Sequence, residues 1–283
     1  MNGAMRNTGP RKMARQLVFA RVFLRLFAAG VLFAPAGASI AQVSVEEVNK
    51  SNNPLTPSPG LNFQDYYTPK LYGGDKHTND LLLRGTLPVM PGDTIKAPQI
   101  FRLTVPVSTR PDPNGGYTTG VGDLNLFDIF LLGKTSGGIE YGAGPLLTVP
   151  TASDDALGTG KWQAGAAVAL IHPSPRGVIG GLIQWQASFA GDKNRADVNT
   201  LTAQPVVIHN LAGGWYLRSS GVWTFNLKND DYYIPIGFGA GKVWKSGTTT
   251  LNAFVEPQWT VAHDGDGLPK FTVFFGLNLT LGK

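Results

Sequence analysis

Phe271-Thr272-Val273-Phe274-Phe275-Gly276-Leu277-Asn278-Leu279-Thr280-Leu281 alternates almost without fault. Phe271, Val273, Phe275, Leu277, Leu279 and Leu281 share one face; Thr272, Phe274, Gly276, Asn278 and Thr280 share the other. Period-2 alternation of this length describes a strand apolar on one side and mostly small or polar on the other. It is about the ten residues that a tilted strand needs to cross a bilayer. The rhythm returns upstream. In 213–226, Trp215, Leu217, Trp223 and Phe225 oppose Tyr216, Arg218, Ser220, Thr224 and Asn226. In 248–262, Leu251, Ala253, Val255, Trp259 and Val261 oppose Asn252, Phe254, Glu256, Gln258 and Thr260. In 177–190, Ile179, Ile183, Trp185 and Phe189 oppose Gln184, Gln186 and Ser188. A charge on a lipid-facing wall costs a few kcal/mol near the midplane, so the polar faces are placed inward.

Working along the chain, strands are expected near 62–72, 79–89, 99–108, 120–133, 138–150, 160–171, 177–190, 199–210, 213–226, 231–243, 248–262 and 270–282. The fold expected is an all-β, transmembrane, antiparallel up-and-down barrel over 62–283, of about twelve strands, with 10 or 14 as alternatives. Connections at 134–137, 172–176, 211–213 and 244–247 are short, whereas those at 109–119, 151–160, 191–198 and 263–269 are longer and polar. Such sorting of loops to opposite ends belongs to barrels of this kind. Asp128 falls on the apolar parity of its strand, which calls for a bulge or a place near the rim.

Residues 1–41 hold Arg6, Arg11, Lys12, Arg15, Arg21 and Arg25, no acid, an apolar stretch over 26–34, and Ser39 and Ala41 before Gln42. That is the pattern of a cleaved secretory signal, with cleavage after Ala38 as second choice and Met5 or Met13 as alternative starts. Six of the 24 Lys and Arg lie there, leaving eighteen against all 19 acids beyond it. The calculated pI of about 9.4 therefore belongs to the signal, and nucleic-acid binding is excluded as a reading. A mean hydropathy of −0.03 fits a wall whose apolar residues occupy every second position. Without cysteine there is neither a disulfide framework nor a lipidated N-terminus. The Asn-, Ser- and Pro-rich stretch 42–61 reads as a flexible periplasmic extension or a partial plug.

Several motifs carry a resemblance. Gly120-Val121-Gly122-Asp123-Leu124-Asn125-Leu126 is one; Gly144-Pro145-Leu146-Leu147-Thr148-Val149-Pro150-Thr151-Ala152-Ser153, followed by Leu157-Gly158-Thr159-Gly160-Lys161-Trp162, is another. Gln204-Pro205, Gly214-Trp215-Tyr216 and Ile234-Pro235-Ile236-Gly237-Phe238-Gly239-Ala240-Gly241-Lys242-Val243 continue the set in order. Over roughly 80–283 the chain resembles the outer-membrane barrels assigned to the meta-pathway of phenol degradation, also described as outer-membrane transporters. The resemblance implies a barrel in the outer membrane of a Gram-negative cell and passage of small hydrophobic or aromatic solutes. One departure is the end, Leu281-Gly282-Lys283, where such barrels commonly finish on an aromatic residue.

Inward-facing Arg84, Arg102, Glu140, Arg218 and Glu256, with Asp123 nearby, are the candidates for a selectivity filter; equally, they can pair across the lumen and hold the barrel shut. Arg84 and Arg102 fall on neighbouring strands and could jointly meet an anion. Asp154 and Asp155 mark a loop that could fold inward as a constriction, or be an ordinary external turn. Glycines 142, 144, 237, 239 and 241 lie on inward parity, where they leave lumen volume or let a second backbone approach. The four histidines, His77, His172, His209 and His263, sit in no Gly-x-Ser-x-Gly context, so catalytic residues, metal ligands and a cofactor are not expected. The partners expected are outer-membrane lipid, the barrel-assembly machinery and the solute, with the chain a monomer or weak oligomer. The rival readings are a filled structural or adhesion barrel and a lipid-modifying hydrolase.

Overall fold

The computed structural model describes residues 43–113 and 115–282. The expected signal, 1–41, lies outside the described residues. A short helix, α1 (Val45–Asn52), precedes the strands β1 (Gly60–Leu71), β2 (Thr78–Val89), β3 (Gln99–Pro111), β4 (Tyr117–Val121), β5 (Leu124–Lys134), β6 (Glu140–Val149), β7 (Lys161–Ser174) and β8 (Gly177–Gly191). After them come β9 (Asn199–Asn210), β10 (Trp215–Ser219), β11 (Trp223–Asn226), β12 (Tyr232–Gly237), β13 (Gly239–Ser246), β14 (Thr249–Asp264) and β15 (Pro269–Thr280). All pairings are antiparallel between neighbours, and β1 pairs with β15 from Gly60↔Thr280 to Leu71↔Pro269, which closes the ring. Three walls are each interrupted once: β4 and β5 at Gly122-Asp123, β10 and β11 at 220–222, β12 and β13 at Phe238. Counted as walls, the fifteen segments make twelve strands, at the places the alternation marks.

The faces follow the alternation too. Ile179 and Phe189 are 62% and 64% exposed on the outside, with Trp185, Trp259 and Val261 on the same outer surface, while Tyr216, Asn252 and Glu256 are fully buried inside. Loop sorting is weaker than expected. At the end where β1 begins and β15 finishes (the terminal end), 175–176 and 247–248 are tight turns, but 90–98 is as long as the distal connections. Apart from 150–160, distal loops are short because β3, β8 and β14 run on into the segments expected as loop.

Two carboxylates sit on the outer face. Asp65 accepts from Asn79 Nδ2 at 2.8 Å. Asp128 lies opposite Phe101, and its buried Oδ1 has no partner. The register shift in β5 falls between Leu131 and Gly133, so it leaves Asp128 facing out; the bulge that its parity called for is on the wrong side to turn it.

Residues 43–61, expected as a flexible leader or partial plug, are ordered and fill the terminal end of the lumen. Ser44 caps α1: its Oγ accepts from Glu47 N, and its N–H donates to Glu47 Oε2 at 3.0 Å, a reciprocal capping box. Val43, Val48 and Leu55 then pack with Ile129, Ile171, Val178, Ile208 and Val243 on the inner wall. The inside at the terminal end thus carries an apolar cluster that the plug covers. Burial of an aliphatic side chain is worth about 1.5–3 kcal/mol, so three of them seat the segment firmly.

Candidate functional site

Asparagines fix the plug to the wall. Asn49 Nδ2 donates to Ser174 O at 2.7 Å, and Asn210 Nδ2 donates to Asn49 Oδ1 at 2.8 Å. Asn252 Nδ2 reaches Ser51 O and Asn52 Oδ1 at 3.2 and 3.1 Å. Glu140 accepts from Asn53 Nδ2 at 2.7 Å and meets Lys134 at 3.5 Å, so this selectivity candidate belongs to the plug's anchorage. Glu47 pairs with Lys245. Both the Lys245 bond and the Ser44 N–H hold the Glu47 carboxyl below its usual value.

Above the plug, Arg218 and Glu256 form a buried pair at 2.7 Å. The Glu256 carboxylate also accepts from Ser220 N (2.7 Å), Ser220 Oγ (2.8 Å) and Gln258 Nε2 (3.0 Å). The Arg218 guanidinium lies 3.6 Å over the Phe254 ring, which meets Phe274 edge-on, and Tyr66 stacks on Phe274 at 4.1 Å. Two glycines make this layer possible: a Cβ at Gly237 would sit 1.9 Å from Glu256 Oε1, and one at Gly239 would strike the Glu256 backbone. Tyr216 needs Gly241 in the same way and donates to Asn252 Oδ1. Arg218 on β10 and Glu256 on β14 pair along one side of the wall, over the intervening β13, and not across the lumen.

Beyond this layer the lumen opens into a cavity of about 260 Å³ bordered by Tyr66, Arg84, Arg102, Phe127, Leu182, Gln184, Gln186 and Gln204. A second space of about 120 Å³, bordered by Asp80, Tyr233 and Gln258, meets it at Tyr66 and Val222. Register places Arg84 opposite Thr104 and Arg102 opposite Thr86, so the two guanidiniums are diagonal neighbours on one inner face. Asp80 in the outer space is held by Arg110 at 2.7 Å and Ser108 at 2.6 Å.

Asp123 stands away from these cavities. Its carboxylate accepts from Ala152 N (3.2 Å), Thr159 N (2.7 Å) and Thr159 Oγ1 (2.9 Å), tying together both ends of the loop 150–160. That loop folds onto the inner face of β4: side chains at Gly120 and Gly122 would collide with Ser153 and crowd Leu157. The Gly-x-Gly-Asp strand and the Pro-Thr-Ala-Ser loop are therefore one device, glycines making room and the aspartate fastening. Ser153 and Leu157 bring the loop against β4. Its aspartates do not face the cavities: Asp154 caps the turn Asp155–Leu157, and Asp155 is exposed beside Arg195.

Among the histidines, His77 stacks on Tyr117 and His263 on Tyr72 at the distal rim. His172 and His263 lie within the ends of β7 and β14, where turns were expected. No helix among the described residues is long and apolar enough to cross a membrane, which says nothing of strands.

A closed twelve-stranded antiparallel barrel, apolar outside and polar over most of its inside, is the architecture of outer-membrane barrels. A solved structure shares it. The chain is similar to an outer-membrane channel from Pseudomonas putida F1, with a TM-score of 0.59 and 16% identity over 81% of this chain and 97% of that one. At this identity the likeness speaks to the fold. The β-domain of the Bordetella autotransporter BrkA aligns with a TM-score of 0.42 and 14% identity, over 79% of this chain and 99% of that one. The transport unit of the autotransporter AIDA-I from Escherichia coli aligns at 0.41 and 9%, over 84% and 97%. No family model and no curated protein matches the chain, so the resemblance to the phenol-pathway barrels rests on the motifs quoted above.

Proposed function

We propose that the chain is an outer-membrane barrel through which small solutes, hydrophobic or aromatic in body, pass or in which they are held, without covalent chemistry. The observation that carries this is the central cavity, walled by Tyr66, Phe127 and Leu182 and ringed by amides and guanidiniums in the middle of the lumen. Polar groups converge on the cavity around these apolar side chains, and a small-molecule site needs both. The exposed outer surface of Ile, Val, Phe and Trp supports lipid as its surroundings, reached by export and the barrel-assembly machinery. The chain needs no second copy to complete its cavity, in keeping with a monomer.

The plug supports a conduit that is shut at rest. Distal loops that are short or, at 150–160, tied down by Asp123 give the adhesion reading little surface to work with. The hydrolase reading finds its rim histidines stacked on tyrosines. The test is a planar bilayer holding the full mature chain. Brief, small conductance steps that become long and frequent when 43–55 is removed are expected. A silent bilayer with both forms sinks the conduit and leaves the filled structural barrel.

A further inference from the structure

We propose that the central cavity is a carboxylate site: Arg84 and Arg102 take the anionic end of a small organic acid whose apolar body lies against Tyr66, Phe127 and Leu182. The proposal rests on the conduit reading above and names the chemical class of its solute.

The argument is one of charge left over. Every other inward charge in this part of the barrel is answered from within the chain: Glu256 by Arg218, Asp80 by Arg110, Glu140 by Lys134, Lys161 by Asp197. Among the described residues neither Arg84 nor Arg102 joins an ion pair. Each guanidinium has five donors. Arg84 spends one on Gln64 Oε1 at 2.5 Å, and its buried Nε has no partner; Arg102 makes a long contact of 3.4 Å to Thr86 Oγ1. As diagonal neighbours on one inner face, the two repel each other. Two like charges side by side in a confined lumen are costly, and an anion between them removes both the repulsion and the idle donors.

The planar fork of arginine matches a carboxylate in bidentate fashion. Arg102 is itself steadied by the Phe127 ring, 5.4 Å from its Cζ. Gln184 and Gln186 lie across the same space and can meet a second polar atom. Within a largely polar lining, Tyr66, Phe127 and Leu182 offer apolar surface that an organic body covers and inorganic phosphate does not. The cavity, at about 260 Å³, falls just under the range for drug-sized ligands, which calls for a compact molecule.

Calorimetric titration of the full mature chain in detergent tests this with benzoate, benzyl alcohol and inorganic phosphate at pH 7. Benzoate is expected to bind at least about tenfold more tightly than either of the others, the scale of a charge-assisted hydrogen bond. R84Q and R102Q are each expected to lose about that factor for benzoate and little for benzyl alcohol, and R84K and R102K to keep part of it. Equal binding of benzoate and benzyl alcohol, preference for phosphate, or undiminished benzoate binding in the R84Q/R102Q double variant overturns the site. The wild-type comparison needs no variant to fold. Benzoate bound without any conductance in a bilayer would sink the conduit and leave the site; conductance without benzoate preference would do the reverse.

Discussion

Arg218 Nε lies 2.7 Å from Glu256 Oε2, and the two side chains, exposed by 9% and 0%, hold the wall together where two neighbouring strands are both broken. Residues 220–222 leave the sheet between β10 and β11, Phe238 interrupts β12 and β13, and Glu256 reaches back to bind Ser220 N. The ion pair stands in for ladder bonds that this part of the wall lacks. Removing one partner strands a buried charge, so E256A is expected to cost about 3–5 kcal/mol, whereas R218M/E256L recovers most of it. Urea unfolding from lipid vesicles measures both; an E256A midpoint equal to the wild type would refute the role.

The plug should be separable from the barrel's stability. N49A leaves Ser174 O on the wall without its donor and Asn210 Nδ2 without its acceptor, a loss of about 1–3 kcal/mol in seating. Longer open times in single-channel records, with unchanged heat resistance of the barrel on gels, are expected.

Acid should loosen the same contact. Because the Lys245 and Ser44 bonds lower the Glu47 pKa, the carboxylate contributes seating energy above its ordinary value of 4.5 and loses it as pH falls through the depressed one. Channel opening is therefore expected to be flat from pH 8 to about pH 5 and to rise in stronger acid. E47Q should open more at neutral pH and show no such rise.

At the distal end, D123A frees the donors at Ala152 and Thr159. The loop 150–160 is expected to lose about 2–3 kcal/mol of anchorage. Limited proteolysis within 151–160 should become rapid while the strands stay protected. Cleavage as slow as in the wild type would show that Leu157 packing alone holds the loop.

On the outer wall, Asp128 is a carboxylate facing lipid with an unpartnered buried oxygen. D128V is expected to raise stability by on the order of 1 kcal/mol, the scale for an acid on that face. A destabilised D128V would mean that the carboxylate has a partner in the membrane.

The barrel was readable because one rule, alternation, writes the same message in every strand. Trp215, Leu217 and Val255 against Tyr216, Arg218 and Glu256 settle inside from outside without any contact being known. The helix was not readable in this way, since eight residues give no sustained period. Two signals did point to it: the Ser44-Val45-Glu46-Glu47 capping box, and strand ends apolar on both faces, such as Ile129-Phe130-Leu131, Leu170-Ile171, Val178-Ile179 and Val207-Ile208. A wall greasy on both sides has something apolar within. The bond from Asp123 to Thr159 was hidden for another reason: its partners are 36 residues apart, and only strand register brings them together. The solitude of Arg84 and Arg102 is likewise a property of the packed interior, where Asp80 and Glu256 are each taken by another arginine.

The seam between β1 and β15 joins the two most distant strands, and α1 is tied to that seam through only 53–59. Bringing such remote segments together carries the largest loop-closure cost of any pairing in the ring. The helix hangs from β1 yet seats on Ser174, Asn210 and Asn252, so the walls that carry those residues must stand around it before the lumen is corked.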